Sequence, residues 1–181
     1  MKKYLLKSFA VVIALTLFSL NGCILDSFNS FMQNVPITEK FVINSDPSTH
    51  ILIQKVSLDS SSIYQNYEDK IESIKLLRVE YRTVSVTPTD LSGNIEFTLA
   101  DNNHNTLFNI SLGKLTPANF QKMPFEFTLT GSQIEKVNSY LSMLSNKTFY
   151  ATISVTNIQS SSSTFELVGA VDVLFEMETK L

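Results

Sequence analysis

"FYATISVTNIQSSSSTFELVGAVDVLFEM", residues 149–177, is the stretch that decides the fold. Phe149, Ala151, Ile153 and Val155 alternate with polar or aromatic neighbours. That is the period of a half-buried strand, because successive side chains leave opposite faces of the backbone. Gln159 to Ser163 interrupts the pattern with serines, and the alternation resumes through Phe165, Leu167, Gly169, Val171, Val173 and Phe175. Two such strands joined by a short polar segment read as an antiparallel hairpin.

The same period recurs upstream. Leu77, Val79 and Tyr81 alternate with Arg78, Glu80 and Arg82, placing one face on a core and one in water. Ile95, Phe97 and Leu99 repeat it, as do Phe108, Ile110 and Leu112, and then Phe125, Phe127 and Leu129. Asp101-Asn102-Asn103-His104-Asn105 is a turn-forming cluster between two of these segments and reads as a hairpin loop. Nearer the amino terminus, Phe41-Val42-Ile43 runs into a chain reversal at Asn44 to Ser48, followed by a strand from Ile51 to Leu58. That strand carries Leu52, Val56 and Leu58 on one face with Gln54 among them. Ser132 to Leu144 breaks the series, with Ile134, Val137, Leu141 and Leu144 on one helical face and Ser132 with Glu135 as a capping box. The expectation is a mainly β protein: an antiparallel β-sandwich of about seven or eight strands with at least one amphipathic helix. No internal repeat or second domain is evident in the 181 residues.

The first 22 residues read as a secretory signal. Lys2, Lys3 and Lys7 precede an uncharged apolar run from Phe9 to Phe18, which is about half the roughly 20 residues a spanning helix needs. Leu20-Asn21-Gly22-Cys23 closes that segment and resembles the lipobox of bacterial lipoproteins: an aliphatic residue, two small residues and cysteine. Asn21 stands where that family carries alanine, serine or threonine. The resemblance implies a diacylglyceryl group on the Cys23 thiol, cleavage between Gly22 and Cys23, and an acylated new amino terminus. Two or more acyl chains hold a protein on a bilayer stably, whereas one is marginal. Ile24, rather than aspartate, after the cysteine implies sorting to the outer membrane in a diderm host. Cys23 is also the one cysteine of the chain, so its acylation leaves none for a disulfide.

Loss of a leader holding three lysines and no acid would move the formal net charge from −3 to −6. An acidic mature chain argues against nucleic acid, whose phosphates reward a basic stripe, and leaves the acyl chains as the membrane contact. Between Cys23 and Glu39 the sequence predicts an acylated anchor and a partly helical tether, with apolar residues at 24, 25, 28, 31 and 32 and Pro36 ending the helix. Phe28, Phe31 and Met32 either cover an open end of the core or lie in the bilayer interface as membrane-proximal contacts. Residues 40–181 form the sandwich domain in this reading.

Chemistry-bearing groups are sparse. His50 and His104 are the only histidines, and G-x-S-x-G, H-E-x-x-H and Gly-rich phosphate loops do not occur. No catalytic residue, metal ligand or cofactor is nominated. Asp101 with Asn102, Asn103 and Asn105 offers oxygens to calcium but lacks the glycine and distal glutamate of an EF-hand, so a plain loop is the stronger reading. Tyr64 and Tyr67, beside Glu68 and Asp69, serve either a recognition surface or the cover of a sandwich edge. The Asn109-Ile110-Ser111 and Asn146-Lys147-Thr148 sequons carry no weight in a bacterial lipoprotein. These features favour a non-enzymatic, membrane-anchored envelope lipoprotein that binds another envelope protein or acts in assembly. A carrier of an apolar ligand or lipid, suggested by 13 phenylalanines, is the alternative. An enzyme acting on envelope glycans or lipids, or a final hairpin inserted into an oligomeric barrel, stands further back.

Overall fold

The two strands of the 149–177 stretch are both formed, but they are not a hairpin. A computed structural model of the chain describes residues 30–180. Its strands are β1 (Ser30–Asn44), β2 (Ile51–Ser57), β3 (Ile71–Thr87), β4 (Ser92–Ala100), β5 (Thr106–Leu115), β6 (Phe125–Glu126), β7 (Thr148–Gln159) and β8 (Glu166–Lys180). Helices α1 (Ser62–Tyr67) and α2 (Gly131–Leu141) complete it. One sheet has the order β1-β8-β3-β6 and the other β2-β7-β4-β5. β7 and β8 therefore belong to different sheets, and the serine-rich segment between them crosses from one to the other. Their apolar faces meet across the interior, where the Phe149 and Phe175 rings stack at 5.8 Å. Alternation cannot separate these cases, because a strand buries the same face whether its successor lies beside it or opposite it.

Every ladder is antiparallel, and the first strand pairs with the last, the second with the seventh, the third with the sixth and the fourth with the fifth. The chain is thus a long ribbon folded in two at the β4–β5 hairpin and wrapped into two facing sheets, the double-sheet jelly-roll arrangement. The mainly β antiparallel sandwich of about seven or eight strands expected from the sequence is the observed architecture, with eight strands among the described residues.

Strand directions place the loops in two groups. Ser30, the segment 58–70, the β4–β5 hairpin, the 142–147 loop and Lys180 share one end, here the near end. Residues 45–50, 88–91, 116–124 and 160–165 share the far end.

β1 corrects the tether. Residues 30–39 are not helical but belong to a 15-residue strand that pairs with β8 along its whole length. Val35, Ile37, Phe41 and Ile43 are buried at period two, which outweighs the helical spacing at residues 31 and 32. Pro36 lies inside the strand rather than ending a helix. It is tolerated because β1 is an edge, where a missing amide donor breaks no second ladder. The sandwich therefore already includes residues 30–39, ahead of the boundary expected at residue 40. The signal segment, the lipobox, Cys23 and Phe28 lie outside the described residues.

β3 corrects the phase of a strand. Its buried residues are Ile71, Ile74, Leu76, Val79, Tyr81, Thr83 and Val86, and register shifts lie between Ile71 and Ser73, Leu76 and Arg78, and Thr83 and Ser85. Each bulge inserts an extra residue and resets which parity faces inward. Leu77, expected in the core, is 47% exposed for this reason, while Leu76 is buried. Tyr81 sits in the core with its hydroxyl 2.7 Å from Thr83 Oγ1, and burial pushes its phenol up to about 12.

Two smaller corrections concern the helix and β6. α2 is capped two residues earlier than expected: Thr130 accepts from the Gln133 amide, and the Gln133 side chain accepts from the Thr130 amide. The helix ends at Leu141, burying Val137 and Leu141 and leaving Leu144 exposed. Of the expected 125–129 strand only Phe125–Glu126 pairs with β3, with the Phe127 amide donating to Val79 O at 2.9 Å just beyond.

Candidate functional site

The two long sides of the sandwich are finished differently. On the β5/β6 side, α2 packs against β3 and β5, and the turn at Pro117–Phe120 packs against β3. Asn138 Oδ1 accepts from the Leu76 amide at 2.9 Å, and Gln133 Nε2 donates to Asn109 O at 3.1 Å. These bonds fix the helix over the gap between sheets. On the β1/β2 side, the described helical segments meet the edge strands only near their ends, through the turns at 47–49 and 58–60 and through Tyr67 of α1 on Phe31, and none packs along their length as α2 does on the other side.

That open seam is lined by polar residues placed where apolar ones would otherwise continue. Along the inward face of β1 the series Val35, Ile37, Phe41, Ile43 is interrupted by Glu39, and Gln33 precedes it. On β2, Gln54 takes the inward position between Leu52 and Val56. Gln54 Nε2 donates to Lys40 O at 3.0 Å, bridging the two sheets. Gln54 Oε1 and Gln33 Nε2 are buried without a protein partner. Burial holds the Glu39 carboxyl above the usual carboxylate range. Behind Glu39 lies an apolar crevice walled by Val56, Phe97, Phe149, Val173 and Phe175, with room for about one water.

The outward face of β2 is apolar. Ile51 and Ile53 are 62% and 66% exposed at the head of this seven-residue edge strand. An edge presents unpaired amides and carbonyls to any extended chain, and natural edges are blunted by proline, inward charge or cover. β1 carries Pro36 and Glu39, whereas β2 offers only Lys55 beside its two isoleucines. The chemistry available here is backbone pairing and apolar contact, not proton or group transfer.

The residues singled out in the sequence are dispersed. Phe31 and Met32 point to opposite faces of β1: Phe31 packs edge-on against Tyr67 at 5.4 Å, and Met32 is 55% exposed. Tyr64 is buried, so it serves the core and not a recognition surface. His50 and His104 lie at opposite ends of the sandwich. His50 Nε2 donates to Asn44 O at 3.0 Å and its ring stacks on Phe165, while the His104 ring lies tilted against Tyr150 with centroids 4.1 Å apart. The Asp101 carboxylate is occupied by its own turn, accepting from the amides of Asn103 and Asn105 at 2.8 Å and from the Asn105 side chain at 2.9 Å. Among the described residues no three His, Cys, Asp or Glu side chains gather as metal ligands. No helix among them is long and apolar enough to cross a membrane.

The seam was missed in the sequence, although its signal was there: an acid or amide interrupting an apolar face at Glu39 and Gln54 marks an edge strand, whose inward face meets solvent at the rim.

The chain matches no protein-family model and no curated protein in sequence. Solved structures with a related course of chain include the mud crab tombus-like virus, at 10% identity over 85% of this chain and 84% of that one, with a TM-score of 0.42. A second is the giant freshwater prawn Macrobrachium rosenbergii nodavirus, at 10% identity over 84% and 95%, with a TM-score of 0.39. The decameric BFDV capsid protein aligns at 10% identity over 82% and 99%, with a TM-score of 0.42. The double-sheet arrangement is read from the strand order itself.

Proposed function

We propose that the protein is a lipid-anchored envelope lipoprotein that works without catalysis, by binding another envelope protein along the open β1/β2 seam. The lipobox-like Leu20-Asn21-Gly22-Cys23 supports the anchor, with acyl chains on Cys23 as the membrane contact and the outer membrane as the destination in a diderm host. The observation that carries the binding reading is the asymmetry of the sandwich: α2 covers the β5/β6 side, while β2 presents a free edge with Ile51 and Ile53 exposed. A partner strand adds to such an edge through main-chain hydrogen bonds and takes specificity from side-chain contacts. A carrier role draws no support from the apolar crevice behind Glu39, which has room for about one water.

The test is a photo-crosslinking residue at Ile53 in the lipidated protein within intact envelopes, with the same residue at Glu135 on the exposed face of α2 as control. A discrete adduct at 53, absent at 135 and lost when Ile51 becomes lysine, is the expected result. Equal adducts at both positions, or none at 53, would overturn it.

A further inference from the structure

We infer that the near end of the sandwich rests on the lipid surface, with Met143 and Leu144 entering the bilayer interface. This rests on the reading that Cys23 is acylated. Met143 and Leu144 are 66% and 42% exposed and stand side by side in the loop between α2 and β7. The loop is braced against folding back: the Asn146 amide donates to Met143 O at 2.7 Å, Asn146 Nδ2 to Tyr140 O at 2.9 Å, and Ser142 Oγ to Ser139 O at 2.7 Å. Two apolar side chains are thereby held out among serines and asparagine.

Contacts tie this loop to the start of β1. Lys147 Nζ lies 2.6 Å from Glu68 Oε1 and 3.1 Å from Asp59 Oδ1, and the neighbouring Tyr67 packs against Phe31, the second residue of β1. The chain thus leaves the described structure at the same end that projects Met143 and Leu144. Cys23 is seven residues before Ser30, a distance that a fully extended chain spans in at most about 25 Å. A sandwich tethered so closely meets the bilayer with this end first. Met32, exposed on the outer face of β1 two residues from that start, lies at the same end.

The occupant is lipid hydrocarbon and interface rather than anionic headgroups. Lys147 is already engaged by two carboxylates, and Lys180 Nζ lies 3.0 Å from Glu72 Oε1. Lys147 and Lys180 are therefore partnered, and Lys70 stands among Asp59, Glu68, Asp69 and Glu72, so the contact should be no stronger on anionic than on zwitterionic vesicles.

The experiment uses the lipidated full chain in phosphatidylcholine vesicles. With Cys23 acylated, Leu144→Cys and, separately, Met143→Cys supply the sole free thiol for an environment-sensitive dye, and Ser162→Cys at the far end is the control. The dye at 143 or 144 should blue-shift and be quenched by lipids brominated high on the acyl chain, while the dye at 162 should do neither. Dyes at 143 and 144 as wet as that at 162, on protein that floats with the vesicles, would overturn the orientation and leave the anchor standing. An unmodified Cys23 in the intact mass of the same sample would overturn both, so the two failures are told apart.

Discussion

Gln54 on β2 donates from Nε2 to the backbone carbonyl of Lys40 on β1 across 3.0 Å, joining the edges of two different sheets. The same side chain leaves its Oε1 buried and unpaired. The two effects oppose each other in a substitution. Gln54→Leu deletes a bond to a carbonyl that water can reach, and it also deletes the orphaned oxygen. Global stability should therefore stay within about 0.5 kcal/mol of wild type. Local opening of the seam should still increase, read as faster hydrogen exchange of β1 amides around Lys40 with α2 amides unchanged. Equal exchange in both proteins would show that the bridge does not hold the seam.

Glu39 is a guard that costs stability. Burial raises its carboxyl above the ordinary 4.5, so the folded state resists ionising it. Below pH 4.5 the group is neutral in both states and the penalty is absent. It appears as pH rises through the folded-state value and persists at neutrality. Glu39→Gln should thus be more stable at pH 7 by a few tenths of a kcal/mol, a figure kept small by solvent screening at the seam, and the difference should vanish below pH 4. Guarding is the compensating benefit. Pro36→Val with Glu39→Val exposes an unblocked 15-residue edge and should self-associate, checked by sedimentation velocity across a concentration series.

Leu76 and Leu77 measure what the bulges do. Leu76 is 4% exposed and Leu77 is 47% exposed, although simple alternation from Val79 and Tyr81 assigns Leu77 to the core. Leu76→Ala should cost about 2–4 kcal/mol and Leu77→Ala within about 0.5 kcal/mol in chemical denaturation. The reverse order would place the register shift elsewhere.

Much of this fold is legible as period two, because burial of one face is a property of each strand alone. Phe97, Leu99, Phe149 and Phe175 are in the core where alternation puts them. Which sheet a strand joins is a property of pairs, so β7 and β8 read as neighbours when they are opposite. Bulges are invisible to a fixed period, and β1 was obscured because its inward face is broken by Gln33 and Glu39 and its middle by Pro36. Those same interruptions are the seam. The residues that blur the strand signal are the ones that mark the open edge.

Two turn carboxylates contribute to the acid limb of stability. The Ser48 amide and then its hydroxyl lower Asp46 below the ordinary 3.8. Burial alone would raise Asp101, but the Asn105 side chain and the Asn105 and Asn103 amides outweigh it and hold it low. A depressed folded-state value means the stabilisation is full above pH 3.8 and is lost as pH falls through that lower value. Replacing both by asparagine should flatten the loss between pH 5 and pH 2.5 relative to wild type, measured by thermal unfolding at fixed ionic strength.

Gly169 and Phe41 are partners in the β1–β8 ladder, and the glycine is there for space rather than for conformation. A Cβ on residue 169 would meet Phe41 Cε1 and Cε2 at 2.8 Å, well inside van der Waals contact. The ring cannot retreat freely, because Phe41 is 3% exposed and stacks on Tyr81 at 6.2 Å. Gly169→Ala should therefore destabilise by about 1–3 kcal/mol, despite the gain in strand propensity that alanine usually brings. Phe41→Leu vacates part of the ring volume at a cost of its own, so the double variant should be more stable than the sum of the two losses predicts. A coupling energy of about 1 kcal/mol or more in that cycle identifies the clash as the cause. Simple additivity would mean that residue 169 is constrained by its backbone and not by the ring that lies over it.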